Sequence, residues 1–308
     1  MLVVFGSVNI DLVFSLPVLP RPDETVLGSG YRVAPGGKGA NQAVAAARDG
    51  AAVRLYGCIG RDEFGRMARD SLAGAGVDVA GLRESSRPTG CAAVCTDAAG
   101  RNLIAVASGA NLDARADLVP DSVLGPDTTL VLQMECPGAE VAALATRARA
   151  RGCRTVLNLA PALPLDRSAL TAVDVLVVNE GEAAALAAGH GLAAGGSLAL
   201  VRRLAAAFGN TAAITLGSLG VVAARAGEDA WSVDALQIKT VDTTAAGDAF
   251  TGVFAAALDR GLPLPAALHR ASVAGGLACL TAGAQPSLPT AAAVEQRLSD
   301  LAPARRIA

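Results

Sequence analysis

Val173-Asp-Val-Leu-Val-Val178, then Asn179-Glu-Gly-Glu182, then an alanine-rich run through Ala188 is the stretch on which the fold turns. An almost wholly aliphatic run, rich in valine and without polar alternation, makes a strand buried on both faces, as in parallel sheets. The abrupt change to Asn, Glu and Gly marks the strand's carboxyl edge, and the alanines that follow suit a helix packed back onto the sheet.

The same unit recurs at Thr129–Gln133, Thr155–Leu159 and Ala212–Leu216, each with a turn and an alanine-rich helix expected behind it. This repetition predicts an α/β fold: a mostly parallel sheet with helices on both faces, joined by right-handed crossovers. Leu2–Phe5 and Val53–Cys58 add strands upstream, with helices at Gly39–Asp49 and Phe64–Ala75. Val221–Ala224 and Trp231–Val233 read as a terminal hairpin across Gly227-Glu-Asp229. Two stretches break the pattern. Residues 12–33, punctuated by Pro17, Pro20, Pro22, Gly28 and Gly30, and residues 90–107, with a turn at Asp97-Ala-Ala-Gly100, are β-like and are expected to pair into one small sheet.

The 308 residues are 52% hydrophobic but only 3% aromatic, so a large core must be built from small aliphatic side chains in one main domain with an appendage. A net charge of -2 without any run of Lys or Arg argues against nucleic-acid binding, and an anionic ligand would need a local site. The six cysteines lack the paired spacing of a zinc site and fit reduced thiols packed as small hydrophobes. His190 and His269 are the only histidines and suggest neither a metal pattern nor a triad. Met1-Leu-Val-Val-Phe lacks a signal peptide's basic region, and the uncharged stretches 183–201 and 271–294 are interrupted by Gly, Pro or His. A soluble, cytoplasmic protein without a membrane span is expected.

Candidate chemistry concentrates at turns. Thr240-Val-Asp242-Thr-Thr-Ala-Ala-Gly247-Asp248-Ala-Phe-Thr-Gly252 ends a strand-like region and opens an apolar helix, Ala249–Leu258. The free amides of Ala245, Ala246 and Gly247, at the positive end of the helix dipole, form a cradle for an anion. Asp248 in that first turn is either a dipole partner or, if a phosphoryl acceptor binds beside it, a general base. There is no GxxxxGK[ST] loop, so nucleotide phosphates would bind at this turn.

Pro35-Gly36-Gly37-Lys38-Gly39-Ala40-Asn41-Gln42 is a second glycine turn feeding a helix. Gly37, Lys38 and Asn41 suit a polyhydroxylated ligand facing Asn9 and Asp11, though a plain helix start with a solvated lysine fits as well. Asn9 and Asp11 follow the first strand, where ligands gather in open α/β sheets, but turn residues of this type need no ligand. Glu180 and Glu182 form either a surface turn or a site for hydrated Mg²⁺ shared with phosphates.

Taken in order, Gly6-Ser-Val-Asn9-Ile-Asp11, Gly36-Gly-Lys-Gly-Ala-Asn-Gln42, Asn179-Glu-Gly-Glu182, Thr215-Leu-Gly-Ser218, Asp242-Thr-Thr-Ala-Ala-Gly-Asp248 and Gly283-Ala-Gln-Pro-Ser287 resemble the ribokinase branch of the PfkB-type carbohydrate kinases. The match runs over essentially the whole chain. The resemblance implies a Rossmann-like, ribokinase-like fold with a small β-sheet lid: residues 1–11, 36–88 and 108–308 as the α/β domain, and 12–35 with 89–107 as the lid. It implies phosphoryl transfer from ATP to the 5-hydroxyl of ribose, giving ADP, with deoxyribose, another sugar or a nucleoside as alternative acceptors. A non-catalytic sugar-binding regulator is a further alternative.

By the same resemblance, Asn9, Asp11, Gly37, Lys38, Asn41 and Glu135 would bind the sugar, Asp248 would be the base, and Ala245, Ala246 and Gly247 the anion hole. Asn179, Thr215, Gly217, Ser218, Gly220, Gly247 and Ser272 would bind ATP, and Glu182 would reach Mg²⁺ through water. Asp242, Thr244, Ala278, Gly283 and Ser287 would surround an activating K⁺. The lid would serve a homodimer. Pro35 and Thr281 depart from residues common in the family at those places.

Overall fold

The computed structural model describes residues 1–307. In chain order the strands are β1 (Leu2–Phe5), β2 (Asn9–Leu16), β3 (Gly30–Gly36), β4 (Val53–Gly60), β5 (Asp78–Ser85), β6 (Gly90–Asp97), β7 (Asn102–Ala107), β8 (Thr129–Gln133), β9 (Arg154–Asn158), β10 (Val175–Asn179), β11 (Thr211–Thr215), β12 (Val221–Arg225), β13 (Ala230–Val233) and β14 (Arg305–Ile307). The α-helices are α1 (Lys38–Arg48), α2 (Glu63–Gly74), α3 (Gly138–Ala150), α4 (Arg167–Thr171), α5 (Glu180–Gly189), α6 (Ser197–Phe208), α7 (Ala246–Asp259), α8 (Leu264–Ala278) and α9 (Ala291–Arg297).

The large sheet runs β14-β13-β12-β11-β10-β9-β8-β1-β4-β5. Every pairing from β5 through β11 is parallel, and those from β11 to β14 are antiparallel. Side-chain alternation divides the core into two layers. Leu2 and Val4 of β1 face a layer with Ala43, Val253 and Ala271 from α1, α7 and α8, whereas Val3 and Phe5 face Leu144, Leu186 and Leu204 from α3, α5 and α6. Helices therefore cover both faces, as the recurring apolar strands require. The small sheet, β3-β2-β6-β7, joins the residue 9–36 and 90–107 stretches, with β2 and β6 parallel and the outer pairs antiparallel.

Several details depart from the sequence reading. β5 and β14 were not anticipated, so the β12–β13 hairpin is followed outward by another strand. The helix behind β9 is the short α4, and β11 leads through the 3₁₀ turn Gly217–Leu219 into antiparallel β12 rather than into a helix. Asn9 and Asp11 lie in β2 of the small sheet, beyond the end of β1.

One close approach positions the site. A Cβ on Gly252 of α7 would fall 2.5 Å from the Gln42 carbonyl oxygen and 2.7 Å from Ala45 Cβ of α1, so only glycine allows this contact. Asp248, one turn earlier, is thereby brought against the first turns of α1.

Candidate active site

The approach to α7 turns through Ala245, whose φ of 60° lies in the left-handed region. For alanine this costs about 1–2 kcal/mol, the kind of backbone strain that collects at functional sites. The Ala246 amide donates to the Thr243 carbonyl at 3.2 Å. The amides of Ala245 and Gly247 have no protein acceptor among the described residues. Two of the three expected cradle amides are therefore free at the helix start, where the dipole favours an anion.

Asp248 is buried and fully coordinated on its protein side: Oδ2 accepts from Asn41 Nδ2 at 2.9 Å and Oδ1 from Gln42 Nε2 at 3.0 Å. Burial raises its pKa, against the charge of Lys38 and the hydrogen bonds from Asn41 and Gln42. Burial also opposes the charge of Lys38, but Asp248, Glu135 and Glu182 outweigh it and raise the lysine's pKa. A carboxylate kept basic beside an ammonium kept charged can take a proton while neighbouring positive charge offsets a phosphoryl group. Glu135 is fixed by Ser7 Oγ at 2.5 Å and by the Lys38 backbone amide at 3.0 Å, tying it to the start of α1.

Two cavities meet at this turn. One, of about 230 Å³, is lined by Lys38, Asn158, Asn179, Glu182, Thr215, Ala245, Gly247 and Asp248 among others. The other, of about 300 Å³, has a mostly apolar wall including Leu236, Ile238 and Phe250, with Gly217, Ser218, Gly220 and Ser272. Thr215, Thr243 and Gly247 line both. A flat apolar ligand in the larger cavity would thus direct an attached anionic chain past the free amides toward Asp248 and Lys38. Asn179 and Thr215 are register partners at the carboxyl ends of β10 and β11, which places them side by side.

Asn9, Asp11, Gly37, Asn41 and Glu135 do not line either cavity. Asn41 reaches the smaller one through its hydrogen bond to Asp248, and Glu135 through the amide of Lys38, which Gly37 precedes. Asn9 Oδ1 accepts from Asn111 Nδ2 at 2.7 Å. Burial, with the Glu135 and Asp248 charges, pushes Asp11 up to about 6. Gly37 has φ 91°, and a Cβ there would sit 2.8 Å from the Asn9 amide nitrogen, so the turn requires glycine.

Asn179 and Glu182 form a capping box: the Glu182 amide donates to Asn179 Oδ1 and the Asn179 amide to Glu182 Oε2, both at 2.8 Å. The Asn-x-x-Glu spacing carried that signal. Burial raises the pKa of Glu182 against the Asn179 amide and Lys38. Among the described residues no group of three or more His, Cys, Asp and Glu could by itself cage a metal. Glu182, on the cavity wall, fits a divalent ion held largely by water and phosphate.

Asp242, Thr244 and Gly283 come together directly: Asp242 Oδ1 accepts from the Thr244 amide at 2.9 Å and hydroxyl at 2.6 Å, and Oδ2 accepts from the Gly283 amide at 2.8 Å. The Val241 amide donates to the Cys279 carbonyl at 2.8 Å, drawing in the end of α8 at Ala278. Ser287 is buried and its hydroxyl donates to the Ala284 carbonyl at 2.7 Å. The sequence reading missed Gln42, Gln133 and Asn158, a buried amide chain on Asp248. Only Gln42 lay within a motif singled out there.

The pfkB family carbohydrate kinase profile matches residues 1–291. The ribokinase of Haemophilus influenzae is 36% identical over 296 residues, covering 94% of this chain and 95% of that one. The crystal structure of Thermotoga maritima ribokinase superposes with a TM-score of 0.90 at 31% identity, covering 97% of this chain and 99% of that one. Arabidopsis thaliana ribokinase, solved in complex with ribose and ATP, gives 0.86 at 29% identity, covering 96% and 98%. With nearly the whole length matched, the chain belongs to the pfkB family of carbohydrate kinases.

Proposed function

We propose that the chain transfers the γ-phosphoryl group of ATP to the 5-hydroxyl of D-ribose, giving ribose 5-phosphate and ADP. The observation that carries this reading is Asp248, buried beside the free amides of Ala245 and Gly247 where the two cavities meet. Its likeness to ribokinases over nearly its full length supports ribose as the acceptor.

ATP occupies the larger cavity, its base near Ser272 and its phosphates passing Thr215, Gly217, Ser218 and Gly220 to Asn179. Ribose lies against Asn9, Asp11, Gly37, Lys38, Asn41 and Glu135. Asp248 accepts the proton of the 5-hydroxyl as that oxygen attacks in line, while the amides of Ala245 and Gly247 and the Lys38 ammonium offset charge on the phosphoryl oxygens. Ala246 joins the cradle once its amide leaves Thr243. Glu182 would hold Mg²⁺ through water, and Asp242 and Thr244, with carbonyls at Ala278, Gly283 and Ser287, would hold K⁺; the two ions would supply positive charge beside the phosphates and the cradle.

The small sheet, residues 12–35 and 89–107, acts as the lid and excludes water that would otherwise hydrolyse ATP. Tyr31 and Leu103 on one face of it, and Ile104 and Val106 on the other, leave it with exposed apolar side chains suited to a second copy in a homodimer. Among the described residues no helix is long and apolar enough to cross a membrane.

The test is ADP release with ribose, 2-deoxyribose, fructose or adenosine, with and without Mg²⁺ and K⁺. The highest kcat/KM with ribose, dependence on Mg²⁺ and stimulation by K⁺ are expected. Preference for adenosine or fructose would move the assignment elsewhere in the family, and sugar binding without ADP release would remove the catalytic role.

A further inference from the structure

Asp248 sits at the end of a chain of neutral amides. Gln42, wholly buried on α1, donates through Nε2 both to Asp248 Oδ1 and to Asn158 Oδ1, each at 3.0 Å. Its Oε1 accepts from Gln133 Nε2 at 2.7 Å, and Asn158 Nδ2 donates to the Val177 carbonyl at 3.2 Å. Gln133 and Asn158 are register partners at the carboxyl ends of β8 and β9, and Val177 lies in neighbouring β10.

The polarity of this chain is dictated from its far end. A backbone carbonyl can only accept, so Asn158 turns its nitrogen to Val177 and its oxygen to Gln42. Gln42 must then present its amino group on that side, one hydrogen to Asn158 and the other to Asp248, and its remaining oxygen is satisfied by Gln133. Reversing Gln42 would set oxygen against oxygen at Asn158 and at Asp248 and nitrogen against nitrogen at Gln133, each a lost buried hydrogen bond. Asp248 therefore meets only donors on its buried side, with Asn41 supplying the second. A proton arriving on the carboxylate has its place on the cavity side.

We infer that Gln42, oriented by Gln133 and Asn158, is a positioning residue for phosphoryl transfer that fixes the plane of the Asp248 carboxylate and reserves its outward lone pairs for the acceptor hydroxyl. The inference rests on the reading of Asp248 as the base. The charged groups acting on Asp248 from other elements are Lys38, Glu135, Glu182 and Asp11. All of them stay in place when Gln42 is changed, so an effect of that change belongs to the amide.

Gln42→Met keeps length and removes both donors. It should lower kcat roughly 10- to 100-fold. The acid limb of the kcat–pH profile should move upward by about one pH unit, because a hydrogen bond to the charged form is gone. KM for ATP should hold. Gln133→Met, which does not touch Asp248, should give a smaller loss with the limb displaced the same way, and the double variant should be no worse than Gln42→Met alone, since Gln133 acts only through Gln42. A role in packing alone would lower the melting temperature and leave the limb where it is, which overturns the inference. So would a double variant whose losses multiply. If Gln42→Met fails to fold, the limb in Gln133→Met decides. Asp248→Asn measured in parallel separates the two readings: wild-type turnover there removes the base itself, whereas its inactivity with an unmoved limb in the glutamine variants removes only the positioning role.

Discussion

Replacing Asp248 by asparagine should silence the enzyme without harming the fold, and the hydrogen-bond geometry says why. Asn41 Nδ2 and Gln42 Nε2 both donate to the carboxylate, at 2.9 and 3.0 Å. The introduced carboxamide has one oxygen and one nitrogen, so one of these donors must lose its acceptor unless a neighbour reverses. Gln42 is held by Gln133 and Asn158, whereas Asn41 Oδ1 has no partner among the described residues. Asn41 can therefore turn its oxygen to the new nitrogen, avoiding the penalty of about 1–3 kcal/mol for an orphaned buried donor.

Removing a buried charge whose pKa is raised by desolvation is itself favourable, so the melting temperature should hold or rise by a few degrees. Turnover should fall roughly 10²- to 10⁴-fold, about 3–5 kcal/mol of barrier, because a carboxamide cannot accept the hydroxyl proton. KM for ATP should stay within a few-fold, since no nucleotide contact is altered. The assays are ADP release under saturating ribose and a thermal melt of the same preparation. Turnover within tenfold of wild type, in a variant that melts normally, would refute the reasoning.

Perturbations at three more residues follow from the same structure. Asp11, pushed up to about 6, should lose its charge in the free enzyme below that pH, so titration calorimetry should find ribose binding weaker at pH 5 than at pH 7.5 by roughly tenfold, and a flat profile would remove Asp11 from the sugar site. Because this carboxyl binds its proton more tightly folded than unfolded, stability without sugar should fall as pH rises from about 4 to 6, and Asp11→Asn should abolish that component of the slope in urea titrations. Gly37→Ala forces a Cβ to 2.8 Å from the Asn9 amide at φ 91° and should cost about 1–3 kcal/mol, read as a lower melting temperature with weakened ribose binding; a neutral outcome would mean the turn is not held this way. Asp242→Ala removes the acceptor of three hydrogen bonds, two from Thr244 and one from Gly283, and should abolish stimulation by K⁺ while leaving some basal turnover, whereas undiminished stimulation would place the cation elsewhere.

The frame of the fold was legible where a strand is buried on both faces. Thr129–Gln133 reads as uninterrupted β structure because water touches neither side of it, and its observed bounds coincide with that reading. β5 was not legible: Asp78-Val-Ala-Gly-Leu-Arg-Glu-Ser85 lies at the sheet's edge, carries charge and has no clean period. β14 was missed for a related reason: it is three residues long, and Arg305 and Arg306 are exposed at the opposite edge, where they pair with Asp234 and Asp229, so only Ile307 packs against the core. In the site, the Ala245–Asp248 turn was visible because its chemistry is local: small residues, free amides and an acid within one turn of helix. The Gln42–Gln133–Asn158 chain was not, because its members stand 91 and 116 residues apart and meet only after β8 and β9 pair beneath α1. Glu182 shows the intermediate case, a capping residue by spacing that also lines the cavity.

Incubation of the enzyme with uniformly ¹³C-labelled ribose, ATP and Mg²⁺, followed by ¹³C and ³¹P NMR of the product, addresses the transfer itself. Phosphorus coupled to C5 and C4 of the sugar, with one ADP formed per sugar consumed, is the expected result. Coupling to C1, or release of inorganic phosphate from unmodified ribose, would contradict the placement of Asp248 against the 5-hydroxyl.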